Sequence, residues 1–438
     1  MKLLPFFFVL LYSFKCESQE LYKRCGWGSF VSNVELKYEG KNETPKWSLK
    51  SNFNNNTIKY DIPLVFHFIL NQQQINKLGG LYGIKQRVLK QIAVINDAFQ
   101  NNKDTALIPL AFRHLTGSVD IHFQLARVTP DNQETDGIEI KVTTQNGISS
   151  NGITGSGIGF SDVKYNSSLG LSGWDPMSYI NVWVINPLAD NNGFNYSALT
   201  ISPLLLSEYK SIPFQELGIV MHYGTLGSRS DSSEFFLPKF DKGKTLIHEL
   251  GHFFGLKHIW GDDNGKCLID GGADDDIEDT PIQANSTSGC PSFPKYDKCT
   301  SNKSGIMFMN YMDYTDDDCS LMFTKGQCDK ISTNIYSTDI LFSLTQHPNI
   351  TANNNTNINY LISPNPCKNK IYIIFTQPSL GLKKIELLNS IGQNLDAQII
   401  TSQRGYYNFE VSQYSNQMLF IKLVFDNKVE IKKILKNE

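Results

Sequence analysis

Apolar positions follow two different rhythms along the chain. From Ile58 to Leu70, IKYDIPLVFHFIL alternates and then runs together, the pattern of a strand entering a core. Residues 83–102, GIKQRVLKQIAVINDAFQNN, place Ile84, Val88, Ile92, Ile95 and Phe99 at intervals of three and four, which predicts an amphipathic helix with one buried face. VDIHFQLARV and SYINVWVINPL read as further strands, and GKTLIHELGHFFG as a helix from residue 243. The sum is an α+β domain, a mixed sheet backed by helices. The stretch HPNITANNNTNINY, residues 347–360, is Asn-rich and poor in apolar residues, so a linker is expected there. Beyond it KIYIIF, KKIELLNSIGQ, YYNFEVS, MLFIKLVF and VEIKKILK are short alternating stretches between turn residues, the pattern of a small all-β sandwich.

Composition adds limits rather than detail. A chain of 438 residues with 40% apolar positions can fill two or three cores. Its 40 basic and 43 acidic residues leave a net charge of -3, which implies neither nucleic acid nor an anionic membrane surface as partner. The opening MKLLPFFFVLLYSFKCESQE has a Lys, an apolar run from Leu3 to Tyr12 and small residues at Cys16 and Ser18, so a secretory signal cut after Ser18 is expected. The competing account is a buried N-terminal strand. The apolar run is too short for a membrane span, which needs roughly twenty residues.

Export makes disulfides permissible. After Cys16 the chain retains Cys25, Cys267, Cys290, Cys299, Cys319, Cys328 and Cys367, and four of these crowd together behind the histidines of residues 248–258. Local bridges stapling a loop-rich region are expected, with at least one thiol of the odd set left over.

Those histidines carry the chemistry. TLIHELGHFFGLKHIWGD, residues 245–262, holds three of the eight histidines in the chain. On a helix His248 and His252 project from one face one turn apart and can share a metal, with Glu249 beside them where a general base for a metal-held water belongs. Gly251 weakens the helix and requires a packing reason, while Gly255 can take positive φ, end the helix and let His258 swing back as third ligand. Three neutral imidazoles leave one open position on a tetrahedral zinc, the pattern of a catalytic rather than a structural site. Histidines that merely pack are the alternative.

HELGHFFGLKH, His248 to His258, fits the HExxHxxGxxH pattern of metzincin metallopeptidases, and MNYMDYTDDDCSLMFTKGQ, residues 309–327, resembles the Met-turn region of one branch, the pappalysins. IPLVFHFIL, YINVWVINPL, GIVMHYGTLGS and DDIEDTP extend the resemblance over roughly residues 58–330. It implies a metzincin fold: a twisted mixed sheet with a backing helix and an active-site helix, then a mostly irregular lower subdomain after Gly255, with a peptide strand lying between them. Met312 would be the Met-turn residue beneath the histidines, and Tyr314 would approach the metal and stabilise the tetrahedral intermediate; a core tyrosine is the plainer account. The resemblance also implies disulfides Cys267–Cys299 and Cys290–Cys319. The acidic loop DGGADDDIEDTP, residues 270–281, resembles a segment near which pappalysins can hold Ca²⁺, with Asp274, Asp275 and Thr280 as candidate ligands. A solvated acidic loop is the competing account.

Two regions outside the catalytic segment complete the expectation. Cys25, in KRCGW, sits between the signal and the catalytic domain and resembles a cysteine switch, a thiolate that blocks the open zinc position until the propeptide leaves; a free or otherwise paired thiol is the alternative. LISPNPCKNKIYIIF, IELLNSIGQNL and MLFIKLVFDNKVEIKKILK resemble the C-terminal sorting domain of the type IX secretion system. The expected organisation is signal peptide 1–18, propeptide 19–57, catalytic domain 58–346, linker 347–359 and C-terminal β-sandwich sorting domain 360–438. The expected activity is a secreted or cell-surface zinc metalloendopeptidase, exported through the periplasm, whose partners are protein or peptide substrates and the secretion machinery. Its rivals are an inactive metzincin scaffold acting as an extracellular binding module and a zinc hydrolase of small molecules.

Overall fold

Tyr60–Leu70 is the spine of the larger sheet, an eleven-residue strand buried along nearly its whole length. The structure, a computed structural model, describes residues 22–26, 60–102, 105–149, 160–188, 195–208, 212–263, 265–300, 303–345, 360–363, 367, 369–375, 382–395, 399–403, 406–426 and 428–437. The expected signal peptide, the linker and most of the propeptide lie outside the described residues.

One edge of the spine pairs in parallel with Ile121–Leu125 and then Ile138–Val142; the other pairs in parallel with Ile180–Ile185. Ile180–Ile185 pairs in turn with Gly218–His222, also in parallel, and that strand takes Ala198–Ile201 antiparallel at the far edge of the sheet. Parallel strands are covered on both faces, which explains why apolar residues run together in Val65, Phe66, Phe68, Ile69 and Leu70 rather than alternating. On one face pack Ile84, Val88, Ile92, Ile95 and Phe99 of the backing helix Gly80–Phe99 and Leu246, Ile247, Leu250 and Phe253 of the helix Lys244–Phe253. On the other, Ile69, Trp183, Leu199, Ile201 and Val220 form a second cluster. The backing helix ends three residues before the expected position, and Asn101 beyond it is left-handed at φ 53°.

After Gly255 the chain becomes irregular, as a chain without apolar period does, and two disulfides tie it: Cys267–Cys299 and Cys290–Cys319. This lower half is not irregular to its end. Thr324 caps a helix over Lys325–Ser337, its side chain accepting from Gln327 N–H while the Gln327 side chain returns the bond, and Ile331 and Ile335 bury into the main core. In the C-terminal region two sheets, one of four strands and one of three, enclose Ile371, Ile373, Leu387, Phe409, Leu419, Ile421 and Leu423. This is the expected sandwich.

Candidate active site

Helix Lys244–Phe253 carries His248, Glu249 and His252, each fully buried against the sheet. It stops where Gly255 turns left-handed at φ 90°, with Gly255 N–H donating to His252 O and Leu256 N–H to Gly251 O. A Cβ at Gly255 would lie 2.4 Å from Leu204 Cδ1 and 2.5 Å from Asn334 Nδ2, so both space and torsion demand glycine. The turn brings His258 back over the helix. The Nε2 atoms of His248, His252 and His258 then lie 3.0, 3.1 and 3.2 Å apart.

Hydrogen bonds behind each ring set its tautomer. Nδ1 of His248 faces Tyr311 O at 2.7 Å, Nδ1 of His252 faces Leu256 O at 2.8 Å, and Nδ1 of His258 faces the Asp262 carboxylate at 2.7 Å. Each acceptor requires an N–H at Nδ1, so all three Nε2 lone pairs point at one another. Burial and mutual repulsion hold His248 and His252 well below the ordinary histidine range, which keeps them neutral as ligands must be. Three converging lone pairs in a dry site repel unless a cation sits among them. Tetrahedral zinc with bonds of 2.0–2.1 Å would separate its nitrogens by about 3.3 Å, close to the spacing found. The donor set fits the metal.

Met312 and Gly251 explain one another: a Cβ on Gly251 would come within 2.4 Å of Met312 Sδ, and Met312 is fully buried. The methionine sulfur occupies the groove a side chain would fill. Tyr314 packs against His248 and His258, with ring centroids 5.7 and 4.9 Å away. Burial raises its phenol well above the ordinary value, so it remains a hydrogen-bond donor. Burial also pushes Glu249 up to about 7, while hydrogen bonds from Thr200 and Cys25 pull the other way. A carboxylate so placed titrates where a base for neutral-pH chemistry is needed.

Cys25 enters the same cluster. Its Sγ and the three imidazole nitrogens lie within 4.8 Å of one another, all buried, and among the described residues this is the one such group of metal-ligand side chains. The segment around it lies along the sheet edge: Tyr22–Lys23 pairs in parallel with Asn195–Tyr196, Gly26 N–H donates to Ala198 O, and Tyr314 Oη donates to Cys25 O at 3.1 Å. Arg24 is buried beside it, its guanidinium 2.8 Å from Asp317 Oδ1, 2.6 Å from Thr315 O and over the Phe240 ring.

Asp274, Asp275 and Thr280 do not join the cluster. Thr280 Oγ1 lies 2.9 and 3.0 Å from the two Asp275 oxygens and 2.8 Å from Ile277 O, and Ile277 N–H donates to Asp275 Oδ1, so these groups bond within their own loop. The calcium expectation receives no support from that arrangement. Cys328 is buried in the capped helix, where burial raises its thiol to about 12, and Cys367 is buried in the sandwich.

Sequence reasoning missed Trp260, Asp262, Thr200, Arg24 and Asp317. Trp260 stacks on His258 with centroids 4.2 Å apart and planes 9° from parallel. The spacing His-x-Trp-x-Asp was a usable signal, since Asp262 follows His258 by four. Thr200 and Asp317 had none, being 49 and 293 residues from the groups they bind.

Comparison with known proteins places the chain in a family. Residues 164–336 match the family described as pregnancy-associated plasma protein-A, and residues 361–437 match the secretion system C-terminal sorting domain. Mirolysin in complex with compound 9 is 33% identical, with a TM-score of 0.56 over 67% of this chain and 99% of that one. Tannerella forsythia mature mirolysin in complex with a cleaved peptide is 33% identical, TM-score 0.56, over 68% of this chain and 100% of that one. An extracellular metalloprotease of Podospora anserina is 33% identical over 154 residues, 35% of this chain and 46% of that protein. One from Arthroderma gypseum is 44% identical over 89 residues, 20% of this chain and 28% of that protein. The matches thus span less than half the length of these curated relatives. The chain belongs to the pappalysin family of metallopeptidases, whose members work with a catalytic metal, and carries a secretion system C-terminal sorting domain behind its catalytic region.

Proposed function

We propose that this protein is a secreted zinc endopeptidase made as a latent precursor. The observation that carries the reading is the convergence of three imidazole Nε2 atoms beside a buried glutamate. Zinc bound by His248, His252 and His258 would polarise a peptide carbonyl and acidify a water. Glu249 takes the water proton on its carboxylate and delivers it to the departing amine. Tyr314 Oη donates to the carbonyl oxygen as charge builds there. The edge strand Ala198–Ile201 offers its backbone to an extended chain, as Ala198 O already does for Gly26, which favours a peptide over a small molecule. Mature mirolysin is described with a cleaved peptide, which supports the same substrate class. A binding-only scaffold would have no need of a glutamate at this position.

Latency follows from what fills the cleft. Cys25 would supply a thiolate, a good zinc ligand, from within 4.8 Å of the imidazole nitrogens, and Arg24 occupies a pocket where Asp317 and Thr315 O receive its guanidinium. That pocket takes a guanidinium, so a basic residue is the preferred substrate side chain there. We further assign residues 1–18 as export signal, 19–57 as propeptide, 58–346 as catalytic domain, 347–359 as linker and 360–438 as the sorting domain through which the secretion machinery places the enzyme outside the cell. No helix among the described residues is long and apolar enough to cross a membrane.

The test is cleavage profiling of a peptide library with residues 19–57 removed. Wild type should cleave, with a basic residue enriched on one side of the bond, and Glu249→Ala or a chelator should abolish cleavage. Equal cleavage by Glu249→Ala, or none by wild type, overturns the proposal. Cys25→Ala should be active without processing.

A further inference from the structure

Two hydroxyls, one on the edge strand and one just past its end, fasten it to the active-site helix. Thr200 Oγ1 lies 3.1 Å from Glu249 O, and Ser202 Oγ donates to Phe253 O at 2.8 Å. Two strand residues advance about 6.6 Å and four helix residues about 6 Å, so the two contacts fall into step. Thr200 makes a second and shorter contact, 2.5 Å from Glu249 Oε2. A hydroxyl has one proton to give, and the ionised carboxylate is the stronger acceptor. Thr200 and Glu249 are both fully buried, so water does not compete for either.

We propose that Thr200 is a positioning residue for the reaction: it pins Glu249 Oε2 and thereby presents Oε1 to the reacting water. This rests on the peptidase reading. Oε1 is buried and makes no hydrogen bond of acceptable geometry, and the Cys25 thiol that also acts on this carboxylate belongs to the assigned propeptide and leaves with it. The placement also ties base to substrate. Ala198 and Thr200 belong to one four-residue strand, so the edge that receives an extended chain is the element that holds the base.

The experiment compares Thr200→Val, nearly isosteric but without the hydroxyl, with Thr200→Ser, which keeps it, both in the processed enzyme. Valine should lower kcat about 10- to 100-fold with KM within about twofold, and serine should recover kcat to within about threefold of wild type. Zinc content should match wild type in both. A thermal double-mutant cycle supplies a readout independent of turnover: Thr200→Val should lower Tm in the wild-type background and much less in Glu249→Ala. Full kcat in Thr200→Val, a serine variant as slow as valine, or a Tm loss unaffected by Glu249→Ala overturns the assignment. Failure of wild type to cleave would instead defeat the peptidase reading, while the Tm cycle would still report on the pair.

Discussion

The two helix-borne ligands and the loop-borne one are held in place by different means. His248 and His252 ride a helix whose inner face is part of the main apolar core, and their Nδ1 atoms donate to backbone carbonyls. His258 belongs to the lower half, where Asp262 holds its ring from behind and Trp260 from one face. The irregular part of the lower half follows the second style. Asp297 accepts from Ala284 N–H, Cys299 N–H and Thr300, Asp313 accepts from Gln283, Thr287 N–H and Tyr314 N–H, and two disulfides close the loops. A region without regular structure must satisfy its backbone with side chains. Burial in the main core secures the upper half, whereas the irregular part of the lower half adds disulfides and hydrogen bonds to carboxylates to its own smaller buried cluster.

Breaking those links should separate the halves. Replacing Cys290 and Cys319 together by Ser removes a bridge of sequence separation 29, with an expected loss of about 3–4 kcal/mol. Limited proteolysis should then cut first between Asp262 and Met322 while the spine strand stays protected. Equal protection of both halves would refute the distinction. A smaller effect is expected at the third ligand: Asp262→Asn should weaken zinc binding about 10- to 100-fold in chelator competition, because the imidazole loses its charged partner. Unchanged affinity would mean that the Trp260 stack and chain geometry suffice.

A further effect should appear with pH. Burial raises Asp275 from 3.8 to about 8, so the folded protein keeps a proton that the unfolded chain has already released. Its stabilising contribution is complete below about pH 4 and is lost as pH rises to about 8. Asp275→Asn stays neutral, so its Tm relative to wild type should improve between pH 5 and pH 8. A constant difference would show that this carboxyl titrates normally.

The same contrast decides what could be read in advance. Ile84 to Phe99 and the spine strand were legible because burial imposes a period on the sequence. The histidine set was legible because a helix and one glycine fix its spacing. Ala198–Ile201 was not, being four residues long with no run or period to mark it, and Ile138–Val142, which alternates as IEIKV, is short and only half-buried. Asp317 looked like one member of the acidic run Asp316 to Asp318, and only folding sets it under Arg24. Asp275 and Thr280 stood out only as members of an acidic loop, and sequence could not show that they hydrogen-bond each other.

The measurement closest to the central claim is zinc-edge X-ray absorption on the purified precursor and on the protein without residues 19–57. Three nitrogens at about 2.0–2.1 Å and one sulfur at about 2.3 Å are expected in the precursor, with oxygen replacing sulfur after processing. A precursor without zinc, with fewer than three imidazoles or with no sulfur would contradict the account.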